Sequence, residues 1–569
     1  MAGLLRASEE GLKIIDIARR NPGWNKTDQM WCKAALTSKA TLKRFWGRKH
    51  IRRETFIDIC KAVGINNWED IIERSDIQKT ELLLASAIAD LPILCEKNTN
   101  FALPENLPPV RNWVGSTREI EAIKKHLFNP NIIGISIVGL PGIGKSTLAS
   151  QLVRQLQGET TPFVAAAWQT LQTSGDIPPN FLVFIDSLFS VLSGTDSTIA
   201  LSQPNYCHQK IEQFIKLVKE KPCLIVFDSV ETILKTGLAQ TTGYFDETYT
   251  EYAWLFKQLL DTEHQSKLLF ISRESLAELP PTVTREIVLT GLDRDTGIAL
   301  LQSFNLTDTP QELEPNLPNS FPSSKGGEVS ELAELSDRYQ GHPKALQLIA
   351  NLICNNEEYQ GNVGKFLQDR DWLLIQEIDN FLEQIFQRLS ELERNCISRL
   401  SVYRTSEFNL NYNAIAAQMP EVSRYELKEN ILRALKRRQL LYYHPVKQCY
   451  QIHPIIQEKA YRILSQNYEH LLKAHRQAYH YFLKFPLKPE TEWQNIEDIK
   501  PLIQAHYHAC QAEDWEKAAQ IVSGVCEYLR QWGYEVDQNA ICFLGNISET
   551  LVSDTQTQQI LGSKPSTLD

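Results

Sequence analysis

The segment Gly139-Leu-Pro-Gly-Ile-Gly-Lys-Ser-Thr147 holds the residue types that a phosphate-binding turn needs, in the order it needs them. Gly139, Gly142 and Gly144 permit backbone conformations in which N–H groups turn inward around phosphate oxygens, with Leu140, Pro141 and Ile143 between them. Lys145 can then reach the β- and γ-phosphates of a nucleoside triphosphate, while Ser146 supplies a hydroxyl ligand for Mg²⁺ ahead of Thr147. Further along, Lys221-Pro-Cys-Leu-Ile-Val-Phe-Asp228 is an apolar run that ends in a carboxylate, the second half of such a metal site. Catalysis would rest on Lys145 and Asp228, with Glu231 to orient water. Ser229 stands where an active phosphohydrolase often has a second acid, so the expectation is firm nucleotide binding with slow turnover at most. Phe270-Ile-Ser-Arg273 ends another run with a guanidinium that could contact a γ-phosphate. The alternative for Arg273 is a surface arginine paired with Glu274.

These side chains need a scaffold. Asn131–Val138 is a β-branched apolar run directly before the turn, and Leu148, Leu152, Val153 and Leu156 mark one face of a helix directly after it. Phe163–Trp168, Ser266–Ser272 and Arg285–Leu289 add strand-like runs separated by helical stretches. The pattern predicts a five-stranded parallel α/β sheet whose ligand lies outside the strands' carboxyl ends.

The remaining composition bounds the rest. With 569 residues, 43% hydrophobic and 22% charged, the chain is an ordinary globular, multidomain protein. It has no run of 18 apolar residues and no secretory-type apolar leader, so a cytoplasmic protein without a membrane partner is expected. The 11 cysteines are scattered and include no CxxC pair, which reads as reduced thiols. His506 and His508, two residues apart, would point to different faces of a helix and do not make a metal pair. The net charge of -10 conceals a split, because residues 1–75 carry a balance of +6 and the remainder -16.

The order of motifs resembles the NB-ARC branch of the STAND signalling NTPases. Trp113-Val114-Gly115-Ser-Thr-Arg118-Glu119 is similar to that branch's entry motif beside the adenine, with Ser116 where an arginine is usual. Lys267–Arg273 is similar to its strand ending in Thr/Ser-Arg, and Tyr339-Gln-Gly341-His-Pro343-Lys-Ala-Leu346 to its GxPLAL motif. Residues 381–465 resemble its winged-helix module. Gln439–Tyr443 and Gln448–Ile452 would form the wing, and Ile452-His453-Pro454 falls at the family's Met-His-Asp. The resemblance implies that Pro343 packs on the adenine, that His453 reaches the β-phosphate of ADP in a closed resting state, and that exchange for ATP drives self-oligomerisation. The alternative for His453 is a capping or half-buried histidine.

At the front, eight Lys/Arg and no acid lie between Trp31 and Arg53. Asp28–Ala35 reads as a helix, Ser38 as an N-cap, Lys39–Trp46 as the next helix, and Glu54–Val63 as a third. This resembles the helix-turn-helix of Cro/C1-type repressors. The resemblance implies double-stranded DNA contacts by Lys39, Lys43 and Arg44, with Arg48, Lys49, Arg52 and Arg53 on the backbone. The alternative is a helical adaptor that binds protein. Near the C-terminus, Ala505–Ala519 resembles one TPR-type helix pair, with Ala509, Ala518 and Ala519 allowing close approach.

The expected organisation is a helix-turn-helix domain at 1–75, a helix and Pro-containing linker at 76–110, a P-loop domain at 111–304, and a helical domain at 305–380 with a flexible insertion at 305–330. A winged helix at 381–465 and a TPR-like tail at 466–569, open to an unknown signal, complete it. Two rival functions stand beside the switch: a transcription regulator with a structural nucleotide site, and a DNA-dependent remodelling ATPase.

Overall fold

The computed structural model describes residues 4–20, 23–35, 37–65, 71, 101–110, 113–115, 117–173, 177–193, 206–307, 330–369, 373–403 and 408–533. The expected helix at 78–96 and most of the insertion at 305–330 lie outside these residues. The chain divides into two compact units, 1–96 and 97–569.

In the first unit the helices Glu9–Ala18, Gln29–Ala34, Lys39–Trp46 and Arg53–Ala62 enclose Trp31, Leu42, Phe45, Phe56 and Ile59, and Leu4–Leu5 pairs antiparallel with Ile51–Arg52. The Ser38 cap forms as expected, and Asp28, expected inside its helix, caps it instead. Asp28 accepts from the Met30 N–H and Ser38 from the Thr41 N–H, satisfying donors that open helix ends leave orphaned.

The second unit is built around a parallel sheet of β1 (Gly134–Val138), β2 (Ala165–Thr170), β3 (Cys223–Asp228), β4 (Lys267–Ser272) and β5 (Thr284–Val288), in the spatial order β2-β3-β4-β1-β5. The strand residues alternate between two apolar cores. Leu269 and Ile271 join Ile135 and Ile137 on one face, whereas Leu268 and Phe270 join Ile225 and Phe227 on the other. A sheet covered on both faces therefore reads as continuous apolar runs. The edge strand β5 keeps three of its five side chains exposed.

Helix α1 (Lys145–Gln157) follows β1. Beyond the sheet come Arg294–Gln302, Glu331–Arg338, α2 (Pro343–Asn355) and Val363–Asp369, then α3 (Gln376–Gln387) and α4 (Glu391–Leu400). A turn of π-helix, Glu426–Ile431, leads into α5 (Leu432–Arg437). The hairpin forms as Tyr442–His444 against Cys449–Gln451, shorter than expected, because Leu440 and Leu441 turn into the core before the strand begins. α6 (Pro454–Ser465) follows it.

The C-terminal region is helical: Tyr468–Leu483, Ile496–Gln511 and Trp515–Gln531. Ala505, Ala509 and Ala518 are buried, but Ala519 is exposed, contrary to expectation. One residue further around the helix carries it off the face made by Ala518, Ile521 and Val525. His506 and His508 are both buried and meet different neighbours: His506 lies against Cys510, whereas the His508 ring lies against His475 with their Nδ1 atoms 2.9 Å apart. The nine cysteines described form no disulfide with one another. Among the described residues no helix is long and apolar enough to cross a membrane.

Candidate functional site

Parallel strands deliver their last residues to one edge, and the register decides which of those residues become neighbours. Val138 pairs with Ser272 across β1 and β4, so Gly139 and Arg273 leave the sheet side by side. Phe227 pairs with Phe270, which sets Asp228 one strand further along the same edge.

The turn from β1 to α1 is the phosphate loop. Gly142 has φ +75°, and a Cβ there would sit 2.6 Å from the Lys344 Cβ, so both conformation and space require glycine. Lys145, the first residue of α1, is buried. Its ammonium donates to the Gly139 and Leu140 carbonyls, each at 2.9 Å. Burial pulls its pKa down to about 8, opposed by the charges of Glu231 and Asp228 and aided by that of Arg273. A phosphate in the loop would supply the missing countercharge.

The Ser146 hydroxyl donates to Asp228 Oδ1 at 3.1 Å, so the two metal ligands expected from sequence meet. Burial raises the Asp228 pKa to about 6, with the Glu231 charge adding to the rise and the Ser146 hydrogen bond opposing it. Two hard oxygen donors, one a carboxylate short of positive charge, fit a divalent cation such as Mg²⁺.

Arg273 pairs with Glu231 and not with Glu274. Its Nε lies 2.9 Å from Glu231 Oε1, its backbone N–H donates to Oε2 at 3.1 Å, and its Nη1 donates to the Gln384 Oε1 at 2.9 Å. The reason lies at Ser229, which adopts the left-handed conformation, φ +63°, and swings the 3₁₀ turn Val230–Ile233 back beneath the β4 tip. In this conformation the Glu231 carboxylate is taken up by Arg273 and is not free to orient water.

Glu274 belongs to a separate charged seam that sequence reasoning missed. Its Oε1 accepts from Arg388 Nε and Arg438 Nη1, both at 2.6 Å, and Arg438 Nε reaches Glu393 Oε1 at 2.8 Å. Glu393 also closes a capping box with Ser390 at the start of α4. The Ser-x-x-Glu spacing at 390–393 marks that cap in the sequence, but nothing marks the arginine.

A cavity of ≈ 390 Å³ lies beside the loop. It is lined by Trp113, Val114, Ile143, Gly144, Thr147, Pro343, Lys344, Gln347 and Asn351, among others. It brings together Trp113 and Val114, the loop and α2, as the family resemblance implied. Pro343 opens α2 with His342 as N-cap. The His342 Nδ1 accepts from the Ala345 N–H at 3.2 Å and the Nε2 lies 3.0 Å from the Pro141 carbonyl. Those two contacts fit a neutral ring with its proton on Nε2, in keeping with a pKa lowered to about 4 by burial. His342 is thus a strut between α2 and the loop that the sequence reading did not single out.

His453 caps the start of α6 by position only, since its ring makes no cap bond. Its Nδ1 and Nε2 are shielded from solvent and have no hydrogen-bond partner among the described residues. The ring stands edge-on to His342, centroids 5.7 Å apart, and burial pushes its pKa down to about 3. An orphaned imidazole one ring away from the phosphate loop is a donor without an acceptor. Arg118 is exposed on the helix Thr117–Leu127, and Ser116 lies outside the described residues.

In the first unit Lys39, Lys43, Arg44, Lys49 and Arg52 are exposed. Arg48 is not available in the same way, because its Nη1 is 2.5 Å from Glu9 Oε1. Arg53 begins its helix.

The model of the NB-ARC domain family matches residues 116–309. An uncharacterized WD repeat-containing protein of Nostoc sp. is 26% identical over 429 residues, 70% of this chain and 32% of that protein. A disease resistance-like protein of Arabidopsis thaliana is 25% identical over 282 residues, 49% of this chain and 20% of that protein. The chain thus spans a third or less of the curated relatives it matches. Among solved structures, a Pyrococcus horikoshii Signal Transduction ATPase with Numerous Domains, with a tetratricopeptide repeat sensor, superposes with a TM-score of 0.29 at 17% identity, covering 77% of this chain and 53% of that one. The Thermotoga maritima RuvB Holliday junction branch migration motor superposes with a TM-score of 0.27 at 11% identity, covering 63% of this chain and 98% of that one.

Proposed function

From the NB-ARC domain that residues 116–309 carry, we propose that this protein is an ATP/ADP-controlled signalling switch acting in the cytoplasm. The observation that carries the reading is that the phosphate loop, with Ser146 bonded to Asp228, lies beside a cavity lined by Val114, Thr147 and Pro343, while the ring of His453 stands against His342, which bonds to the loop.

In this reading Gly139 to Thr147 cradle the phosphates, Lys145 neutralises them, and Ser146 and Asp228 hold Mg²⁺, which supplies charge for phosphoryl chemistry. Val114 and Pro343 hold the base, and His453 donates to the diphosphate in the closed state. Arg273 contacts the terminal phosphate of ATP. Hydrolysis is slow, because Ser229 follows Asp228 and Glu231 is engaged by Arg273. The helical residues 305–380 and the winged helix at 381–465 close over the nucleotide, and the TPR-like tail from 466 receives the signal. Opening exchanges ADP for ATP and exposes surfaces for self-assembly, which gathers the heads at high effective concentration. The exposed Lys39, Lys43 and Arg44 on one helix favour double-stranded DNA as the head's target over a protein partner.

The test is size analysis of the purified chain. A monomer in ADP and a larger assembly in a non-hydrolysable ATP analogue are expected, with Lys145→Ala responding to neither. A chain that retains no nucleotide overturns the reading. Salt-sensitive duplex binding tests the head; no affinity at low salt removes DNA as its target.

A further inference from the structure

The two sides of the Arg273 guanidinium are held by different parts of the chain. Glu231, in the turn after β3, takes the Nε side, while Gln384, near the end of α3, takes Nη1. One helical turn after Gln384, Arg388 donates from Nη2 to the Glu231 carbonyl at 2.9 Å and from Nε to Glu274, the residue after Arg273. Side chains four apart lie on one helix face, so this end of α3 grips both the acid that holds Arg273 and the residue that follows it. Arg273 leaves the sheet beside Gly139, at the mouth of the phosphate loop, and its charge and that of Glu231 both act on Lys145.

We infer that Glu231 and Gln384 are positioning residues that park Arg273 and thereby set the preference for diphosphate over triphosphate. This rests on the reading of Arg273 as the terminal-phosphate contact. A nucleoside diphosphate leaves the parked pair undisturbed. A triphosphate brings a further anion to the loop that competes with the Glu231 carboxylate for the same guanidinium. Winning that competition takes Arg273 off Gln384 and loosens this end of α3 from the strand tips. Part of the triphosphate's binding free energy is therefore consumed in unparking, and the same contacts transmit nucleotide identity to the 381–465 region. A guanidinium suits the role because its planar fork can trade one oxyanion for another.

Gln384 is exposed, so Gln384→Ala leaves the core intact. Affinities of the full chain for ADP and for a non-hydrolysable ATP analogue, both with Mg²⁺, are read by fluorescent-nucleotide titration. Gln384→Ala is expected to strengthen analogue binding about fivefold or more while ADP stays within about twofold, the size of a modest coupling between sites. Glu231→Gln should act in the same direction, and Gln384→Glu, which keeps the acceptor oxygen, should hold the analogue at or below the parent affinity. In an Arg273→Ala background Gln384→Ala should change neither affinity. Equal shifts for both nucleotides, no shift, or a selective shift that persists without Arg273 each overturn the inference while leaving nucleotide binding standing. A parent chain that binds neither nucleotide overturns the functional reading with it.

Discussion

The turn between β1 and α1 grips with main chain, whereas the seam behind the strand tips holds with side chains. In the turn, glycines, a helix start and one lysine lie within nine consecutive residues, and the shape they make serves any polyphosphate. In the seam, Glu274 meets Arg388 and Arg438 across 114 and 164 residues, and Arg438 goes on to Glu393. The contrast separates two tasks. In the proposed switch a grip must work in every state, so it is local, whereas a contact that defines one state must span parts that can separate.

The largest expected effect breaks the seam. Glu274→Ala leaves Arg388 and Arg438 facing each other without their acid, and loss of one partner from a buried charge group costs about 3–5 kcal/mol, read by urea unfolding. Adding Arg438→Ala should recover part of that loss; purely additive losses would show that the seam is not one network. Next, Lys145→Ala attacks the grip. It is expected to weaken ADP and ATP alike by about 3 kcal/mol, roughly a hundredfold, since it removes charge-assisted bonds to phosphate. A loss confined to ATP would blur the distinction between grip and sensor.

A smaller effect is set by pH. The folded Asp228 pKa of about 6 stands above its ordinary 3.8, so the native state holds this proton more tightly than the unfolded chain does. Without nucleotide or Mg²⁺, stability from this group is full below about 4 and falls as pH rises through about 6. Asp228→Asn should flatten that part of the profile. Mg²⁺, which needs the carboxylate, should bind more weakly below about pH 6. The smallest is Ser38→Ala in the head, which removes one helix cap and about 1 kcal/mol, measured by thermal unfolding.

The same contrast governs what could be read from sequence. The phosphate loop, Asp228, the five strands and the Ser38 cap were legible because each depends on residues close together in the chain. Arg273 was recognised, and the alternative that paired it with its neighbour does not hold. Adjacency pointed to Glu274, while the left-handed Ser229 delivers Glu231 instead, a turn no local propensity forecasts. Ala519 looked like a packing residue beside Ala518 and is exposed, because alanine pairs do not declare which of them faces inward. His342, Arg388 and Arg438 carried no signal, as their meaning arises only when distant segments meet. The NB-ARC match at 116–309 reaches none of them.

One oxygen in the seam has a consequence for how the protein opens. Glu274 Oε1 is shared by two arginines, but Oε2 is buried and has no hydrogen-bond partner among the described residues. A carboxylate oxygen left dry costs about 1–3 kcal/mol, and that cost lasts only while the seam is closed. Once the two sides part, water reaches Oε2 and the penalty is relieved. In the proposed switch the closed form would therefore carry a small internal push toward release, and the seam would be easier to part than its three ion pairs, taken at face value, indicate.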